Sequence, residues 1–383
     1  MPAYLDHAYL DHAYLDHAAT TPMRPEAVEA MLPFLTDRFG NPSGSHAVSR
    51  EASKALEEAR EVVADALGAE PGEVVFTGGG TEADNLAIAG VEAVRPGTVV
   101  HSAIEHHAVL HASHAYRRWV APVGPDGVVD LDALASLLDE DVTVVAVMLA
   151  NNEVGTIQPL AEVVALAAER APQAVVMTDA VQAFQWVDVA RLAAGAHLMA
   201  VSGHKFGGPK GVGALVVRQG VHVRPTIHGG GQERDRRSGT HNVAGIAALA
   251  AAMAVTVAER AATVTRVGAL RDRLADGLLA TIAGAAETGD RRRKIAGNCH
   301  LTFEGVESEA LLMLLDAAGV YAAAGSACQS GAVEPSHVLA AMGVPPERGL
   351  GALRLSLGTT STDADVDLAL EAVPAAVARL RAT

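Results

Sequence analysis

A lysine that directly follows an apolar run is the first residue of this sequence whose position suggests chemistry. Lys205 stands in the segment SGHKFGGPKG, which begins at Ser202 after a run typical of a buried strand. Burial among small residues can lower the pKa of such an amine enough for it to form an imine with a carbonyl compound. The alternative is a solvated surface lysine, for which Lys210 in the same segment is an equal candidate.

Two polar residues precede this lysine at the end of another predicted strand. Asp179 and Gln182 lie 26 and 23 positions before Lys205. A carboxylate at a strand end beside an imine-forming lysine could keep a pyridine nitrogen protonated, which makes pyridoxal phosphate an electron sink. The alternative for Asp179 is simple helix capping. His106 follows a further apolar strand, so its imidazole could lie against a flat cofactor ring.

A glycine-rich segment is a candidate phosphate site. The segment TGGGTEADN begins at Thr77, at the end of a short β-rich run, and leads into a helical pattern. The first N–H groups of a helix and its positive end bind anions, and the Thr81 hydroxyl would add a donor. The alternative is a tight strand-to-helix turn that Thr81 caps.

The two cysteines have different surroundings. Cys328 lies in AGSACQSGA, a run of small residues without aliphatic packing partners, which favours an accessible and reactive thiol. Cys299 alternates with its neighbours as a strand residue does, and we expect it in the core. Arg354 lies between apolar residues in LRLSL, where a guanidinium needs a carboxylate from either the substrate or the protein.

The N-terminus contains a tandem repeat of Tyr-Leu-Asp-His-Ala that starts at Tyr4, Tyr9 and Tyr14. A period of five fits neither a strand nor a helix, and a duplication of one segment explains it better than a repeat architecture. Neither its Asp and His residues nor the pair His107 and His111 has a further ligand type at a recurring spacing. We therefore expect no metal site.

The elements that would position these residues alternate between helix and strand from Asn41 to Val217. Apolar runs of strand length lie at 73–77, 98–101, 142–150, 174–178, 197–201 and 212–217. Continuous apolar strands between helices predict a largely parallel sheet covered on both faces, with ligands at the C-terminal edge of the strands. A long Ala-rich helical stretch follows from about Val243 to Ile282, and shorter units after it predict a second, smaller α+β domain.

Composition excludes several classes of function. Half of the 383 residues are hydrophobic, which excludes a disordered chain, and 29 basic against 45 acidic residues give a net charge of −16. Such a charge argues against direct binding to nucleic acid or to an anionic membrane surface. The longest nearly unbroken apolar stretch, Ile246 to Ala258, is shorter than the roughly 20 residues of a membrane span. No basic and apolar leader is visible, so we expect a cytoplasmic protein.

Together these segments resemble the cysteine desulfurases, pyridoxal-phosphate enzymes of the class V aminotransferase fold, from about Tyr14 to the C-terminus. The matching segments, in order, are LDHAATTP, GNPS, FTGGGTEADN, EHHAV, NNEVGTIQP, TDAVQA, SGHKFGGPKG, GGGQER, RSGT, GSAC, EPSHVL and LRLSLG. GSAC around Cys328, followed closely by EPSHVL, is similar to the branch that serves iron-sulfur assembly and nitrogen fixation. The resemblance implies an α/β fold, with a transferase large domain built on a mostly parallel sheet and a smaller α+β C-terminal domain.

The resemblance also implies a role for each matching residue. Lys205 would carry the imine, Asp179 would pair with the pyridine nitrogen and Gln182 would bond the phenolic oxygen. His106 would stack on the ring and take part in proton transfer, and Cys328 would be the nucleophile. The residues that would hold the phosphate are Gly80, Thr81, Ser202, His204 and, since the family is homodimeric, the partner subunit's Thr240. The residues that would bind the substrate carboxylate are Asn152 and Arg354.

The reaction that the resemblance implies converts L-cysteine to L-alanine and leaves a persulfide on Cys328. Its sulfur would pass to an acceptor protein, either an iron-sulfur scaffold or a tRNA-thiolation enzyme. The competing activities are a selenocysteine lyase or an aminotransferase on the same fold. A sulfur-carrier or metal-binding scaffold without turnover would need neither Lys205 nor Asp179.

The resemblance gives an expected domain organisation. We expect residues 1–13 to be a mobile duplicated extension and residues 14–20 to join the small domain. Residues 21–260 would form the large cofactor-binding domain. Residues 261–383 would form the small domain that carries the catalytic cysteine loop.

Overall fold

The computed structural model describes residues 12–325 and 336–382. The chain consists of two compact units. The larger unit comprises Thr20–Asn151 and Thr156–Ala261. Among the described residues, the smaller unit comprises residues 12–19, the short segment Asn152–Gly155 and the chain from Ala262 onwards. The first copy of the repeat, most of the second copy and Cys328 lie outside the described residues.

The regular elements are numbered along the chain. The strands are β1 (Ala13–Tyr14), β2 (Val74–Thr77), β3 (Thr98–Ser102), β4 (Arg117–Ala121), β5 (Val142–Ala146), β6 (Val175–Asp179), β7 (Leu198–Ser202), β8 (Gly213–Val217), β9 (Ala285–Glu287), β10 (Asn298–Phe303), β11 (Val320–Tyr321) and β12 (Ala352–Ser356). The helices are α1 (Pro25–Met31), α2 (Ala47–Leu67), α3 (Gly80–Glu92), α4 (His107–Ser113), α5 (Leu131–Leu137), α6 (Leu160–Arg170), α7 (Val189–Leu192), α8 (Val243–Thr281), α9 (Ser308–Ala317), α10 (His337–Ala341), α11 (Pro346–Gly349) and α12 (Asp363–Arg381).

The larger unit is built on a seven-stranded sheet with the order β2-β8-β7-β6-β5-β3-β4. All neighbouring strands run parallel except β8, which is antiparallel to both β2 and β7. Every residue of β2, β3, β5, β7 and β8 is buried, because helices cover both faces of the sheet. The predicted α/β fold with a mostly parallel sheet is confirmed.

The edge strand β4 was not predicted from the sequence. Its residues Arg117 to Val120 are exposed, and Arg117 stacks its guanidinium over the Trp119 ring. A strand at a sheet edge presents one side to water, so it lacks the continuous apolar character by which the other strands were found. Charged residues on such an edge also discourage pairing with another chain.

The helix α2 shows how local sequence sets the boundaries of an element. The His46 ring accepts a hydrogen bond from the Ser49 N–H at the start of the helix. At its end Gly68 adopts a left-handed φ of 60°, and a Cβ there would approach the Ala190 Cβ to 2.9 Å. Glycine ends the helix here because any other residue meets both backbone strain and a clash.

The smaller unit contains a three-stranded antiparallel sheet in the order β12-β10-β9 and the parallel pair β1-β11. The third repeat copy belongs to this unit: Tyr14 pairs with Tyr321, and Leu15 is fully buried. Ala13, the last residue of the second copy, pairs with Val320. Ala13, which was predicted to be part of the mobile extension, is therefore a strand residue. Cys299 is fully buried in β10, as predicted.

The helix α8 is long and apolar enough to cross a membrane by length and composition alone. Of its most apolar window, 56% is buried inside the protein. Core helices of folded domains pass the same test of length and composition. Its side chains Ala248, Leu249 and Met253 are fully buried, which is the environment of such a core helix.

Candidate active site

The predicted site residues of the larger unit follow strands that end at the same edge of the sheet. β6 ends at Asp179 and β7 ends at Ser202, and the two strands are parallel. β2 runs in the same direction as β7, since both are antiparallel to β8, and the glycines before α3 follow it. His106 comes after β3, which is also parallel to this set. The topology therefore collects these residues at the C-terminal edge, where open α/β sheets bind ligands.

Asp179 is a buried carboxylate held by its own loop. It is 5% exposed, and its Oδ1 accepts a hydrogen bond of 2.8 Å from the Val181 N–H. Burial raises the pKa of the Asp179 carboxyl, while the charges of His106 and Lys205 and the Val181 N–H act to lower it. A carboxylate beside two potential cations is suited to pair with a protonated pyridine nitrogen.

The start of α3 forms a cradle without side-chain capping. Gly79 occupies the N-cap position with a φ of 143°, and within the described ranges no side chain accepts from the first N–H groups of this 13-residue helix. A Cβ at Gly80 would lie 2.7 Å from the Val181 Cγ2 and 3.6 Å from the Ser202 Cβ. The helix N-terminus thus lies beside Ser202 with space for no side chain, which suits a bound phosphate.

The lysine segment places its two lysines in different environments. Lys205 ends a 3₁₀ turn after β7 and is half-buried, close enough to Asp179 to affect its pKa. Lys210 is exposed. Of the two lysines that the sequence left equivalent, Lys205 is the one beside the buried acid.

His204 is held by the residues just after the N-terminal segment. Its carbonyl oxygen accepts from the Thr21 N–H and hydroxyl, and its Nδ1 lies 3.2 Å from the Thr20 Oγ1. Burial, reinforced by Lys205 and Lys210, lowers the pKa of His204 to about 4. A neutral His204 at pH 7 could donate a hydrogen bond to a phosphate but would not add a charge.

The remaining site residues of the larger unit differ in exposure. Gln182 is 8% exposed and follows Asp179 by three positions. Thr81 and Thr240 are both exposed. An exposed Thr240 is consistent with the expectation that it serves a site in a partner subunit rather than in its own chain.

Thr240 follows a loop whose backbone is left-handed at three successive residues, Glu233, Arg234 and Asp235, with φ of 51°, 57° and 64°. Arg60 holds this loop through two hydrogen bonds of 2.8 Å to the two carboxylate oxygens of Glu233. His241 Nε2 lies 2.7 Å from Glu233 Oε1. Burial raises the pKa of the Glu233 carboxyl, but these hydrogen bonds outweigh it and lower the pKa to about 2.

Arg354 binds the protein rather than leaving its guanidinium open. It is 2% exposed, and its Nη2 pairs with the Asp16 Oδ1 at 2.8 Å. Its Nη1 donates to the carbonyl oxygens of Asn152 at 3.1 Å and Gly325 at 3.3 Å. Of the two partners left open by the sequence, the protein carboxylate is the one observed, and Asn152 contacts Arg354 through its backbone.

Sequence reasoning missed three acidic residues at or near these groups. They are Asp16, Asp84 and Glu105. In the sequence, Asp16 is only the aspartate of one of three repeat copies, and Glu105 is only the neighbour of His106. Asp84 stands on α3 between Ala83 and Leu86, both fully buried, and its position between apolar residues is the signal that could have marked it.

The residues of the larger unit fit a phosphorylated pyridine aldehyde. They supply an amine, a buried carboxylate, an imidazole and an uncapped helix N-terminus at one sheet edge. Each matches one group of pyridoxal phosphate: the aldehyde, the ring nitrogen, the ring face and the phosphate. Cys328 lies outside the described residues, so its place relative to this set is a prediction.

Comparison with known proteins gives four consistent findings. The Aminotransferase class-V family model matches residues 13–369. An IscS-like cysteine desulfurase of Mycobacterium tuberculosis is 48% identical, covering 99% of this chain and 97% of that protein. The cysteine desulfurase IscS of Methanosarcina thermophila is 46% identical, covering 95% of this chain and 91% of that protein. Among solved structures, a NifS-like protein is 35% identical and has a TM-score of 0.90, covering 96% of this chain and 100% of that chain.

Proposed function

This chain belongs to the class-V aminotransferase family and is a pyridoxal-phosphate-dependent cysteine desulfurase, and we propose that Lys205, Asp179, His106 and Cys328 carry its reaction. One observation supports this assignment above the others. The half-buried Lys205 lies near the buried Asp179, and a ring nitrogen of His106 lies within 4.8 Å of a carboxylate oxygen of Asp179. The full-length likeness to two cysteine desulfurases supports a role for that cluster in cysteine desulfuration.

When bound, pyridoxal phosphate supplies an electron sink for the carbanion at the substrate Cα. Lys205 provides the amine to which the cofactor is attached, and Asp179 keeps negative charge at the pyridine nitrogen. His106 would lie against the ring and would move a proton during the reaction. The phosphate is bound by Gly80, Thr81, Ser202 and His204, with the partner subunit's Thr240.

Besides holding the cofactor, Lys205 would act as a base: its free amine would take the proton from the substrate Cα. The carboxylate of L-cysteine is held by Asn152 and Arg354. For Arg354 this means binding the substrate beside its existing Asp16 partner, using the Nε that has no hydrogen-bond partner among the described residues.

The sulfur transfer balances without an external oxidant. The Cys328 thiolate attacks the sulfur of the substrate, so that an S–S bond forms and the carbon–sulfur bond breaks. The bonding electron pair goes to the substrate Cβ, which takes up a proton and ends as the methyl group of L-alanine. The substrate sulfur is oxidised to the persulfide level while the carbon is reduced. An acceptor thiol then attacks the outer sulfur and returns Cys328 to the thiolate.

The destination of the sulfur is an acceptor protein that builds iron-sulfur clusters or thiolates tRNA, and the enzyme works as a cytoplasmic homodimer. The names IscS and NifS of the similar proteins support a role in sulfur supply. The exposed Thr240, on a loop tied down by a buried ion pair, supports a partner subunit at that surface.

An aminotransferase or a selenocysteine lyase would use the same cofactor residues. The test is to incubate the purified enzyme with L-cysteine and a thiol reductant, without any 2-oxo acid. We expect L-alanine and sulfide in equal amounts, loss of both in Lys205→Ala, and retention of both in the matched control Lys210→Ala. Alanine formation that requires a 2-oxo acid, or activity that survives in Lys205→Ala, would contradict the proposal.

A further inference from the structure

Three buried carboxyl groups lie close to one another at the candidate cofactor site. Asp84 on α3 is 1% exposed, Glu105 after β3 is 1% exposed and Asp179 at the end of β6 is 5% exposed. A carboxyl oxygen of Asp84, a carboxyl oxygen of Asp179 and a ring nitrogen of His106 all lie within 4.8 Å of one another. The proposed function gives a task to Asp179 and His106 but none to Asp84.

The three acids differ in what stabilises their charge. Asp179 has the Val181 N–H and the charges of His106 and Lys205. Glu105 accepts hydrogen bonds on its Oε1 from the Ser102 hydroxyl and from the Met148 N–H at 2.8 Å. Asp84 has a buried Oδ1 with no hydrogen-bond partner among the described residues. A negative charge on Asp84 would therefore be the least compensated of the three.

Two carboxylates this close in a buried setting cannot both be charged at modest cost, so one of them keeps a proton. Burial raises the pKa of the Asp84 carboxyl well above its usual range, and the negative charge of Asp179 raises it further, as does Glu105 when it is ionised. The groups that favour ionisation act on Asp179 instead. The titratable groups around Asp84 are thus Asp179, Glu105 and His106, with Lys205 beyond Asp179.

We propose that Asp84 is a positioning residue that keeps its proton at neutral pH and donates it toward Asp179, so that Asp179 remains the charged member of the pair. A neutral donor next to Asp179 lowers the proton affinity of that carboxylate. The consequence for the cofactor rests on the proposed function, in which Asp179 pairs with the pyridine nitrogen. A less basic Asp179 leaves the shared proton on that nitrogen, as the electron sink requires.

Two substitutions separate the proton from the shape of the side chain. Asp84→Asn keeps the size and supplies an amide N–H in place of the acid O–H, so it should preserve the effect on Asp179. Asp84→Ala removes the donor. Glu105→Gln is the matched control, because it changes a buried acid of the same cluster. Burial raises the pKa of Glu105 to about 8, so this residue also contributes a protonated acid at pH 7.

The direct test is infrared spectroscopy of the full-length holoenzyme at pH 7, recorded first without and then with a metal chelator. A protonated carboxylic acid has a carbonyl stretch above the amide band, and Asp84→Asn should remove one such band. Glu105→Gln should remove a different band and leave that of Asp84. The Asp84 band should persist in Lys205→Ala, which cannot attach the cofactor, so that its presence is independent of the proposed function.

The second readout is the visible absorption of the bound cofactor as a function of pH. We expect Asp84→Asn to titrate as the wild type does, and Asp84→Ala to shift the midpoint by about one pH unit, a tenfold change in proton affinity. An unshifted midpoint in a folded Asp84→Ala enzyme would overturn the role toward Asp179. If Asp84→Ala does not fold, the infrared result decides.

A bound cation is the rival explanation, since two carboxylates and an imidazole are also ligands for a divalent metal ion. In that case the acid band would be absent before chelation and would appear only after it. That result, or a spectrum in which Asp84→Asn removes no acid band, would overturn the proposal.

Discussion

Replacing Glu233 by Gln tests whether the buried ion pair with Arg60 holds the loop that leads to Thr240. Both oxygens of Glu233 are used: Arg60 binds the two of them, His241 lies beside Oε1 and the Phe76 N–H donates to Oε2 at 3.0 Å. The glutamine would lose the charge and turn an amide N–H toward the Arg60 guanidinium. The buried Arg60 would then lack its compensating charge.

The expected loss of stability follows from the pKa of Glu233, which falls from its ordinary 4.5 to about 2. A shift of that size corresponds to about 3 kcal/mol, and breaking a buried ion pair by removing one partner costs about 3–5 kcal/mol in general. We therefore expect Glu233→Gln to lower the free energy of unfolding at pH 7 by about 3 kcal/mol. Because the folded pKa is depressed, this contribution is complete above pH 4.5 and is lost as the pH falls through about 2.

The assay is urea unfolding at fixed protein concentration and saturating cofactor, since both shift the transition. The difference between wild type and Glu233→Gln should shrink between pH 4.5 and the lowest pH at which the protein folds. Glu57→Gln is the control, because Glu57 contacts the same Arg60 but its side chain is 54% exposed, so its loss should cost less than about 1 kcal/mol. A difference below about 1 kcal/mol for Glu233→Gln, or one that does not change with pH, would refute the reasoning.

Three further predictions concern the Asp235 backbone, the N-terminal segment and Asp179. Asp235→Gly should raise the free energy of unfolding by about 1 kcal/mol in thermal melts, because the left-handed φ of 64° is strained for aspartate; no gain would show that its side chain compensates the strain. Deleting residues 1–11 should leave the melting temperature and turnover unchanged, and a loss of several degrees would show that the extra copies pack against the protein. In contrast, Leu15→Ala should lower the free energy of unfolding by about 2–5 kcal/mol, because Leu15 is fully buried. Asp179→Asn should retain the cofactor but lower kcat by about 10²–10³, measured as alanine formation; near wild-type turnover would contradict its proposed charge role.

The elements of the sheet were predictable wherever burial is continuous along the chain. β5 was found in this way, but its predicted range extended to 150, whereas the strand ends at Ala146. The next four residues are just as buried because they continue beside β6, where the Val147 and Leu149 N–H groups donate to the carbonyls of Met177 and Asp179. Apolar character thus reports burial, and the strand boundary depends on pairing that one segment does not specify.

In the candidate site too, local features were predictable from the sequence and contacts between distant residues were not. Lys205 and Asp179 could be found because residue type and position after a strand are local features. The buried pair of Arg60 and Glu233 could not, because its members are 173 positions apart and QERDRR has the composition of a solvated loop. The proximity of Asp84 to Asp179 likewise depends on how α3 packs against the sheet, and the pairing of Asp16 with Arg354 spans 338 positions.

The central claim is that Cys328 receives the sulfur, and mass spectrometry of the enzyme after a single exposure to L-cysteine tests it most directly. The wild type and Cys299→Ala should gain one sulfur atom on the peptide that contains Cys328, and both should form alanine. Cys299 is fully buried, and burial raises the pKa of its thiol to about 12, so it cannot replace the nucleophile. Cys328→Ala should carry no persulfide, and its alanine formation should fall to background. Persulfide on Cys299, or full alanine formation by Cys328→Ala, would contradict the account.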